Sequence, residues 1–565
     1  MRSSKTIVGV ATTGLVILAG GCQLIAGVKD ASPYPPDGGT SGTGGQGGGE
    51  TSTTGGGGGA TICAPGMKID CYSGPDGTKG IGICQAGKQT CRMDGSGYDA
   101  CVGEVKPKAE SCAAKEDENC DGHDCVQWAE LFGDGADQKA LALAVDAAGN
   151  SYVVGTFAGA ITINGQKIAS AGSSDAFLFK FDPMGKAIWG KAFGDVDAQE
   201  GQSVALDSIG NVAIAGASAT SLSLGGPMVP AGLFVAKLTS DGQFLWSKGL
   251  GAVGCGGTSD SSINAMTVTS ANDFVLAGQY CGIIDFGDGP IPSQMGSMDG
   301  FVALLRGGDG SAKKSDGAWS TVFGDEKSQR AVSVAMVGGF GEIIVVGDFA
   351  GSMNMGSAST SLSSQGGSDI FYAKLSSTDG ASFDAQRFGD STDQYASAVA
   401  ADIAGNFVIA GQFGGTLDFA TGTLSTLPSI SRAFVAQFNA LETYQWGKAL
   451  GSNDGFFGSV TDIALDSAGN IILGGIYSGS IDFGDGLLTA PNLHIDIFLA
   501  KITSSGQHLW SKSFDSSSDF SFARMGLSPS SEPILAGAVS GPIDFGTSSL
   551  TTSGSFDGFI AKFSQ

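Results

Sequence analysis

The chain has 565 residues, of which 55 are Asp or Glu and 30 are Lys or Arg, for a net charge of −25; a field of that sign repels phosphate backbones and argues against nucleic acid as a partner. Glycine accounts for 93 residues and charged residues for 15%, respectively well above and well below average usage. Because 42% of the residues are hydrophobic, enough to fill a core, the excess glycine belongs to turns and a linker, and wholesale disorder is excluded.

The N-terminus carries basic Arg2 and Lys5, an uncharged and mostly apolar stretch over residues 7–18, and then Ala19, Gly20, Gly21 and Cys22. The stretch is shorter than the ~20 residues a membrane-spanning helix needs. It resembles a bacterial lipoprotein signal with its lipobox at residues 18–22. The resemblance implies cleavage before Cys22, acylation of that cysteine with palmitate-type chains, and a membrane partner reached through the lipid alone. Gln23, not Asp, follows the cysteine, so the expected address is the outer membrane, at the cell surface or on the periplasmic side. The segments are then a signal peptide over residues 1–21, a lipidated linker over 22–62, a cysteine-rich module over 63–125 and a repeat domain over 126–565. Residues 37–60 are almost entirely Gly, Ser and Thr, the composition of a flexible tether.

Eight cysteines fall in the module (Cys63, Cys71, Cys84, Cys91, Cys101, Cys112, Cys120 and Cys125), and Cys255 and Cys281 form a distant pair. In an exported chain an even count reads as a disulfide framework, which a segment this short needs in place of a large core. Zinc fits less well, because no paired C-x₂-C knuckles occur. The connectivity stays open, with 105 pairings of eight cysteines. The module ends in residues 117–125, DENCDGHDC, which match the D-x-[DN]-x-[DN]-G opening of a calcium loop. Asp117, Asn119, Asp121 and His123 are the candidate metal ligands, and Ca²⁺ is the one cofactor the sequence raises. Trp128 stands where an EF-hand has its bidentate Glu, so a solvated acidic turn pinned by disulfides is the competing reading. The stretch is also similar to acidic, cysteine-bracketed segments of bacterial surface proteins proposed to bind metal.

From residue 128 onward the chain repeats. All six tryptophans (Trp128, Trp189, Trp246, Trp319, Trp446 and Trp510) occupy one position of a unit of about sixty residues, and a seventh unit near Asp384 lacks it. A phenylalanine column (Phe177, Phe234, Phe301, Phe371, Phe434, Phe498, Phe559) and a glycine column (Gly155, Gly216, Gly278, Gly347, Gly411, Gly475, Gly537) run through all seven units. Each unit holds four short β-branched or aromatic runs separated by Gly, Asn and Asp turns. The repeats open on a fourth-strand sequence at Trp128 and end on a third-strand sequence at Phe559. The two ends therefore complete one blade between them and close a ring that needs no caps. The expected fold is all-β, a seven-bladed propeller of four-stranded antiparallel blades, monomeric, behind the disulfide-rich module. The units resemble the β-propeller repeat family common in bacterial surface proteins, with D-x-x-G-N-x-x-x-x-G (Asp466 to Gly475) followed by D-x-F-x-x-K (Asp496 to Lys501). That resemblance implies fold and surface location and no fixed activity. The K-[LF]-x-x-x-G-x-x-x-W tail (Lys180 to Trp189) looks like the tryptophan-docking motif of quinoprotein propellers and of the lipoprotein propeller that assists outer-membrane barrel assembly. The tryptophans are thus expected to lock neighbouring blades.

The connections from strand two to three and from strand four to the next blade leave on one face. That places Cys255 near Cys281, as a disulfide, and gathers Asp134, Asp195, Asp285, Asp288, Asp325, Asp390, Asp418, Asp482, Asp485 and Asp544 as a candidate cation-assisted or basic-ligand binding face. The competing use of such aspartates is local hydrogen bonding in short turns. Only His123, His494 and His508 occur, none beside a plausible nucleophile, and neither G-x-S-x-G nor H-E-x-x-H is present. No catalytic residue is assigned. The leading expectation is a noncatalytic, surface-exposed or periplasm-facing lipoprotein that binds an envelope or extracellular protein or glycan. The alternatives are a propeller hydrolase or lyase and an outer-membrane assembly scaffold.

Overall fold

The computed structural model describes residues 62–565 apart from 109, 114–115, 121–124, 253–259, 295–296, 339–340, 357–359, 452–456, 491–493, 516–519 and 547–548, with the side chains of 520–523 and 549 also outside the description. The signal, the lipobox and the tether lie outside the described residues. Residues Thr61–Gln565 form one compact unit.

Runs such as Val212–Ser218 and Asp496–Ile502 are apolar at nearly every position and buried along their whole length, because in a propeller both faces of a strand pack on neighbouring blades. Seven antiparallel blades of four strands result, paired one to two, two to three and three to four, and the sheet of blade 2 is extended by a two-stranded hairpin from the next blade. Blade 1 runs from Gln138–Val145 to Ala187–Phe193 and blade 6 from Gly458–Leu465 to His508–Phe514. Blade 7 takes three strands from the C-terminus and its outer strand, Val126–Phe132, from the front of the repeats, with Val126 opposite Phe563 and Phe132 opposite Gly558. The first strand of each blade touches the first strands of both neighbours, including blade 7 against blade 1. The ring closes with seven blades.

Every first strand carries a one-residue irregularity, as between Gly201 and Ser203 or Ile263 and Ala265, which frees backbone groups on the inner edge. Side chains from adjacent blades take them up. Gln202 accepts from the Ile263 amide at 3.0 Å, Asn264 donates to the Ala331 carbonyl at 2.8 Å, and Ser333 accepts from the Val399 amide at 3.2 Å. Asp462 accepts from the Met525 amide at 2.9 Å, while Arg524 donates to the Leu141 and Thr461 carbonyls, both at 3.2 Å. Burial pushes the Asp462 carboxyl up, against the opposing pull of Arg524.

The tryptophans lock blade to blade. The Trp246 indole N–H donates at 3.1 Å to the Gly307 carbonyl in the next blade, and the buried Lys237 ammonium donates to the same oxygen at 2.8 Å. Trp189 and Lys180 share the Ser240 carbonyl in the same way, and Trp128, Trp319 and Trp446 reach Pro183, Ser377 and Ser504. Lys237 also pairs with Asp207 at 2.8 Å, anchoring the D-x-x-G-N turn. Where the tryptophan is missing, its dock is missing too. Asp384 stands opposite Lys374, as Trp246 stands opposite Lys237, and the facing turn has Glu442 at φ 57° where the other turns have glycine. Lys374 bonds Glu442 at 2.7 Å and Glu342 at 2.9 Å, so an ion-pair bridge replaces the indole.

The third, fourth and seventh units lack D-x-x-G-N, and the third and seventh still make the same turn. Asn272 and Ser531 take the left-handed position, at φ 63° and 64°, that Gly210 holds in blade 2. A further feature is a small hairpin between strands two and three, for example Ile283–Asp285 with Pro290–Pro292. Its Ile284 pairs with Gly251 at the end of the preceding blade's outer strand, and in blades 1, 4 and 5 the second strand of the hairpin lies against the outer strand of its own blade.

The module is joined by four disulfides, Cys63–Cys91, Cys71–Cys101, Cys84–Cys120 and Cys112–Cys125. It is continuous with the propeller, because the last of these lies against the C-terminus. The Cys112 amide donates to the Gln565 carbonyl at 3.2 Å, and the Ser564 amide to the Cys125 carbonyl at 2.8 Å.

Candidate functional site

The aspartates expected on one face divide into two sets. Asp134, Asp195, Asp325 and Asp390 sit where strand four passes into the next blade, and each carboxylate is filled by donors of its own blade. Asp325 accepts from the Lys327 amide at 2.8 Å, Gln329 Nε2 at 2.7 Å, the Ser352 amide at 2.6 Å and Ser352 Oγ at 2.9 Å. A Cβ on Gly351, at φ +78°, would lie 2.5 Å from the Asp325 carboxylate, so the glycine is part of the bracket. Backbone N–H donors, Ala136 and Asp197 first, hold Asp134 and Asp195 below the usual carboxylate range. Burial pushes Asp325 and Asp390 up, but their combined donors still carry them below it. These groups tie loops together, which is the ordinary use of aspartate in short turns.

Asp285, Asp288, Asp418, Asp482, Asp485 and Asp544 belong to the hairpins between strands two and three, and the folding back of the hairpins moves their turns away from that face. Asp288 accepts from the Lys314 amide at 2.9 Å, in the connection between strands three and four, which lies on the opposite side of the ring. A Cβ on Gly484 would lie 3.7 Å from that of His508, the first residue of an outer strand. Asp285, Asp418, Asp482 and Asp544 each accept an amide two residues on, at 2.6–2.9 Å. The ten carboxylates therefore do not form one face, and the reason is the unforeseen hairpins.

Replacing Asp325 by Asn is expected to cost about 1–2 kcal/mol at neutral pH by removing a charge that accepts several hydrogen bonds. The folded-state pKa lies below the unfolded one, so the wild-type advantage is complete above the unfolded value of about 3.9 and fades as the pH falls towards the lower folded value. Urea denaturation of both proteins at pH 7 and near pH 3 checks this.

In the module, Asp121 and His123 lie outside the described residues. Asp117 and Asn119 are described, and what organises their loop is a residue the sequence reading passed over. Glu110 accepts the Glu118 and Asn119 amides at 3.1 and 3.0 Å, so the loop turns N–H groups inward onto a carboxylate, the polarity of an anion site. Burial, first of all, pushes the Glu110 carboxyl up. Among the described residues no group of three or more His, Cys, Asp or Glu side chains is gathered as a metal site. Cys281 is disulfide-bonded, and its expected partner, Cys255, lies outside the described residues. His508 opens the outer strand of blade 6, 3.1 Å from Ser511 Oγ, and His494 is half-buried before Asp496–Ile502.

A different set of residues varies from blade to blade. Repetition marks what the fold needs, so a column that changes from blade to blade is free to serve something else. In each first strand, the residue opposite the position just after the repeated glycine is Lys139, Glu200, Ser262, Arg330, Tyr395, Ser459 and Phe522 in turn. Directly before it stands a buried glutamine in four blades (Gln138, Gln199, Gln329, Gln394). The variable row lies at the end of the ring where strand one begins, and its partners in strand two include Thr156, Gln279, Asp348 and Gln412.

The Arg330 Nε donates to both Asp348 oxygens, at 2.8 and 2.9 Å, and its guanidinium lies 5.7 Å from the Tyr395 ring centre in the next blade. Asp348 holds the Arg330 cation more firmly protonated than usual, while burial pushes the Asp348 carboxyl up. Burial also raises Glu200, which accepts from Gln202 and lies near Lys139. Lys139 in turn sits 4.8 Å from the Phe556 ring centre. The row thus combines paired charges, aromatic rings and amides, the makings of a polar recognition site at the mouth of a ring.

No protein-family model matches the chain, and no curated protein matches it. Among solved structures, the quinohemoprotein alcohol dehydrogenase from Comamonas testosteroni is 10% identical, with 77% of this chain and 76% of that chain covered and a TM-score of 0.34. The WD40 domain of Neurospora crassa Pan2 is 9% identical, with 76% and 90% covered and a TM-score of 0.37. A polysaccharide lyase described as an ulvan lyase of family PL25 is 10% identical, with 72% and 92% covered and a TM-score of 0.39.

Proposed function

We propose that this chain is an exported lipoprotein, acylated at Cys22 and held at the outer membrane, whose propeller binds a protein or glycan of the envelope or its surroundings without transforming it. The observation that carries the reading is the variable row from Lys139 to Phe522, polar in most blades and set at the mouth of the ring. Four disulfides within the module suit an oxidising compartment. The lipobox resemblance supplies the anchor, and the composition of residues 37–60 supplies the reach.

The test is affinity capture from envelope fractions with the full-length protein and with Arg330→Ala/Tyr395→Ala, after equal thermal melts confirm that both are folded. A partner held by the wild type and released by the variant is the expected result. Capture that ignores the double substitution, or no capture at all, counts against the mouth as the site. In the same cells, labelled palmitate is expected to enter the wild-type protein and not Cys22→Ser.

A further inference from the structure

Strand three opens on a buried aspartate in five blades (Asp175, Asp299, Asp369, Asp496 and Asp557) and on Gly232 in blade 2, whereas in blade 5 it opens on Arg432. The aspartates serve the fold, as Asp175 and Asp557 do by accepting the Ala171 and Ser553 amides at 2.9 and 2.7 Å. A reversal of charge at such a position is not required by the repeat and is free to serve something else. Arg432 lies against the end of its own outer strand, where its Nη2 donates to the Ala449 carbonyl at 3.0 Å and to the Gly451 carbonyl. Burial pushes the guanidinium pKa down, the response of a cation partly withdrawn from water.

The same side chain borders an open cleft of about 270 Å³ between blades 5 and 6, whose other charged lining residues are Lys448 and Asp482. Lys448 is on the outer strand of blade 5, two residues before Leu450, and its ammonium has no hydrogen bond or ion pair among the described residues. A Cβ on Gly484, at φ +118°, would lie 3.8 Å from Lys448 Nζ, so the hairpin turn of blade 6 leaves the ammonium room. The matching place in blade 3 is filled, because a Cβ on Gly287 would lie 3.0 Å from Lys313 Cγ. Asp482 accepts the Gly484 amide at 2.7 Å within its own turn. An acidic chain thus turns two cations onto one cleft, against a single carboxylate already bonded elsewhere.

We infer that the cleft between blades 5 and 6 binds a small oxyanion, the phosphate, sulfate or carboxylate group of a free solute, with Arg432 as a fixed charge beside it and Lys448 as the donor that meets it. Charge-assisted bonds of this kind are the strong ones, and an ammonium on a flexible stem adjusts to the anion while the guanidinium stays in place. The ligand is small because the cleft lies at the lower end of the roughly 300–1,000 Å³ of ligand pockets. It is a free solute because a net charge of −25 repels polyanions and anionic surfaces. The cleft is lined by residues other than those of the variable row, so the inference does not depend on the binding role proposed for the mouth.

The test is titration calorimetry of the full-length protein, at constant ionic strength, with inorganic phosphate, sulfate, acetate and, as a polyanion, heparin, beside Lys448→Gln, Arg432→Asp and Lys191→Gln. Saturable heat with at least one of the three small anions is expected, its affinity weakened about tenfold or more by Lys448→Gln and by Arg432→Asp. Lys191→Gln removes the lysine of the same column in blade 1, two residues after Trp189 as Lys448 is after Trp446, and is expected to change nothing. Arg432→Asp introduces the residue that five other blades carry, and Lys448→Gln breaks no ion pair among the described residues, so both are expected to melt like the wild type. Should Arg432→Asp melt early, Lys448→Gln alone decides. No saturable heat with any small anion, an affinity that Lys448→Gln leaves unmoved, an equal loss in Lys191→Gln, or binding of heparin alone would overturn the inference. Failed envelope capture would remove the role of the mouth and leave this site standing.

Discussion

Replacing Trp246 by alanine is expected to lower stability by about 3–5 kcal/mol, the cost of emptying a buried aromatic site, seen as an early unfolding transition in urea. Trp246 is 7% exposed and packs into the core between blades 2 and 3, edge-on to Phe274 at 6.2 Å. Its loss also strips the Gly307 carbonyl of one of two donors. The dock opposite is equally particular: a Cβ on Gly310 would lie 2.5 Å from the indole, on a backbone at φ +71°. Gly310→Ala is therefore destabilising through both the contact and the left-handed backbone, which alone costs an L-residue about 1–2 kcal/mol. The double variant is expected to fall short of the sum, because the contact with the indole vanishes with the indole. A sub-additive double-mutant cycle would show the coupling, and full additivity would mean that indole and turn do not meet.

That the indole would lock blades was legible because six tryptophans recur at one position of the repeat, three of them (Trp189, Trp246 and Trp510) with a lysine nine residues and a glycine four residues earlier. Closure of the ring was legible from the mismatch between Trp128 and Phe559, a fourth-strand opening and a third-strand end. What escaped the sequence has physical causes as well. The folded-back hairpins are built from strands of two to four residues, such as Leu222–Ser223, too short to show a period, and their Asp-Gly turns looked like those of the loops at the mouth. The exchange of Trp for Asp384 was visible, but its compensation was not, since Glu442 lies 58 residues further along the chain and meets Lys374 only in space. The variable row was hidden because repetition is what draws the eye, and Arg330, Tyr395 and Gln412 are conspicuous only once the register places them on one level.

The second large effect concerns the seam. Removing both Cys112 and Cys125, as the double alanine variant, is expected to destabilise the propeller by about 3 kcal/mol, the size of the loop-closure effect for a short loop. Removing Cys63 and Cys91 is expected to leave the main transition almost unmoved. The two pairs differ in what they touch. Cys112 and Cys125 are buried in the core of the closing blade with Val126, Phe563 and Trp510, and they flank the point where the N-terminal strand joins the C-terminal one. Cys112 Sγ lies 3.0 Å from the Ser564 carbonyl, and Ser111 Oγ donates to Gln565 at 3.3 Å. Cys63 and Cys91 fasten the far part of the module, whose backbone bonds run to Gly66 and Met67. A ring closed by non-covalent pairing of its two ends is weakest where those ends meet, because opening there needs no other blade to break. Holding Cys125 to Cys112 fixes the start of Val126–Phe132 beside the end of Asp557–Phe563, so the pairing re-forms before the strand can drift. Hydrogen exchange checks the mechanism directly. In the Cys112/Cys125 variant the amides of Phe559 to Phe563 are expected to lose protection before those of blades 2 and 3, while uniform loss across all blades would show that the disulfide acts on the molecule at large rather than on its seam.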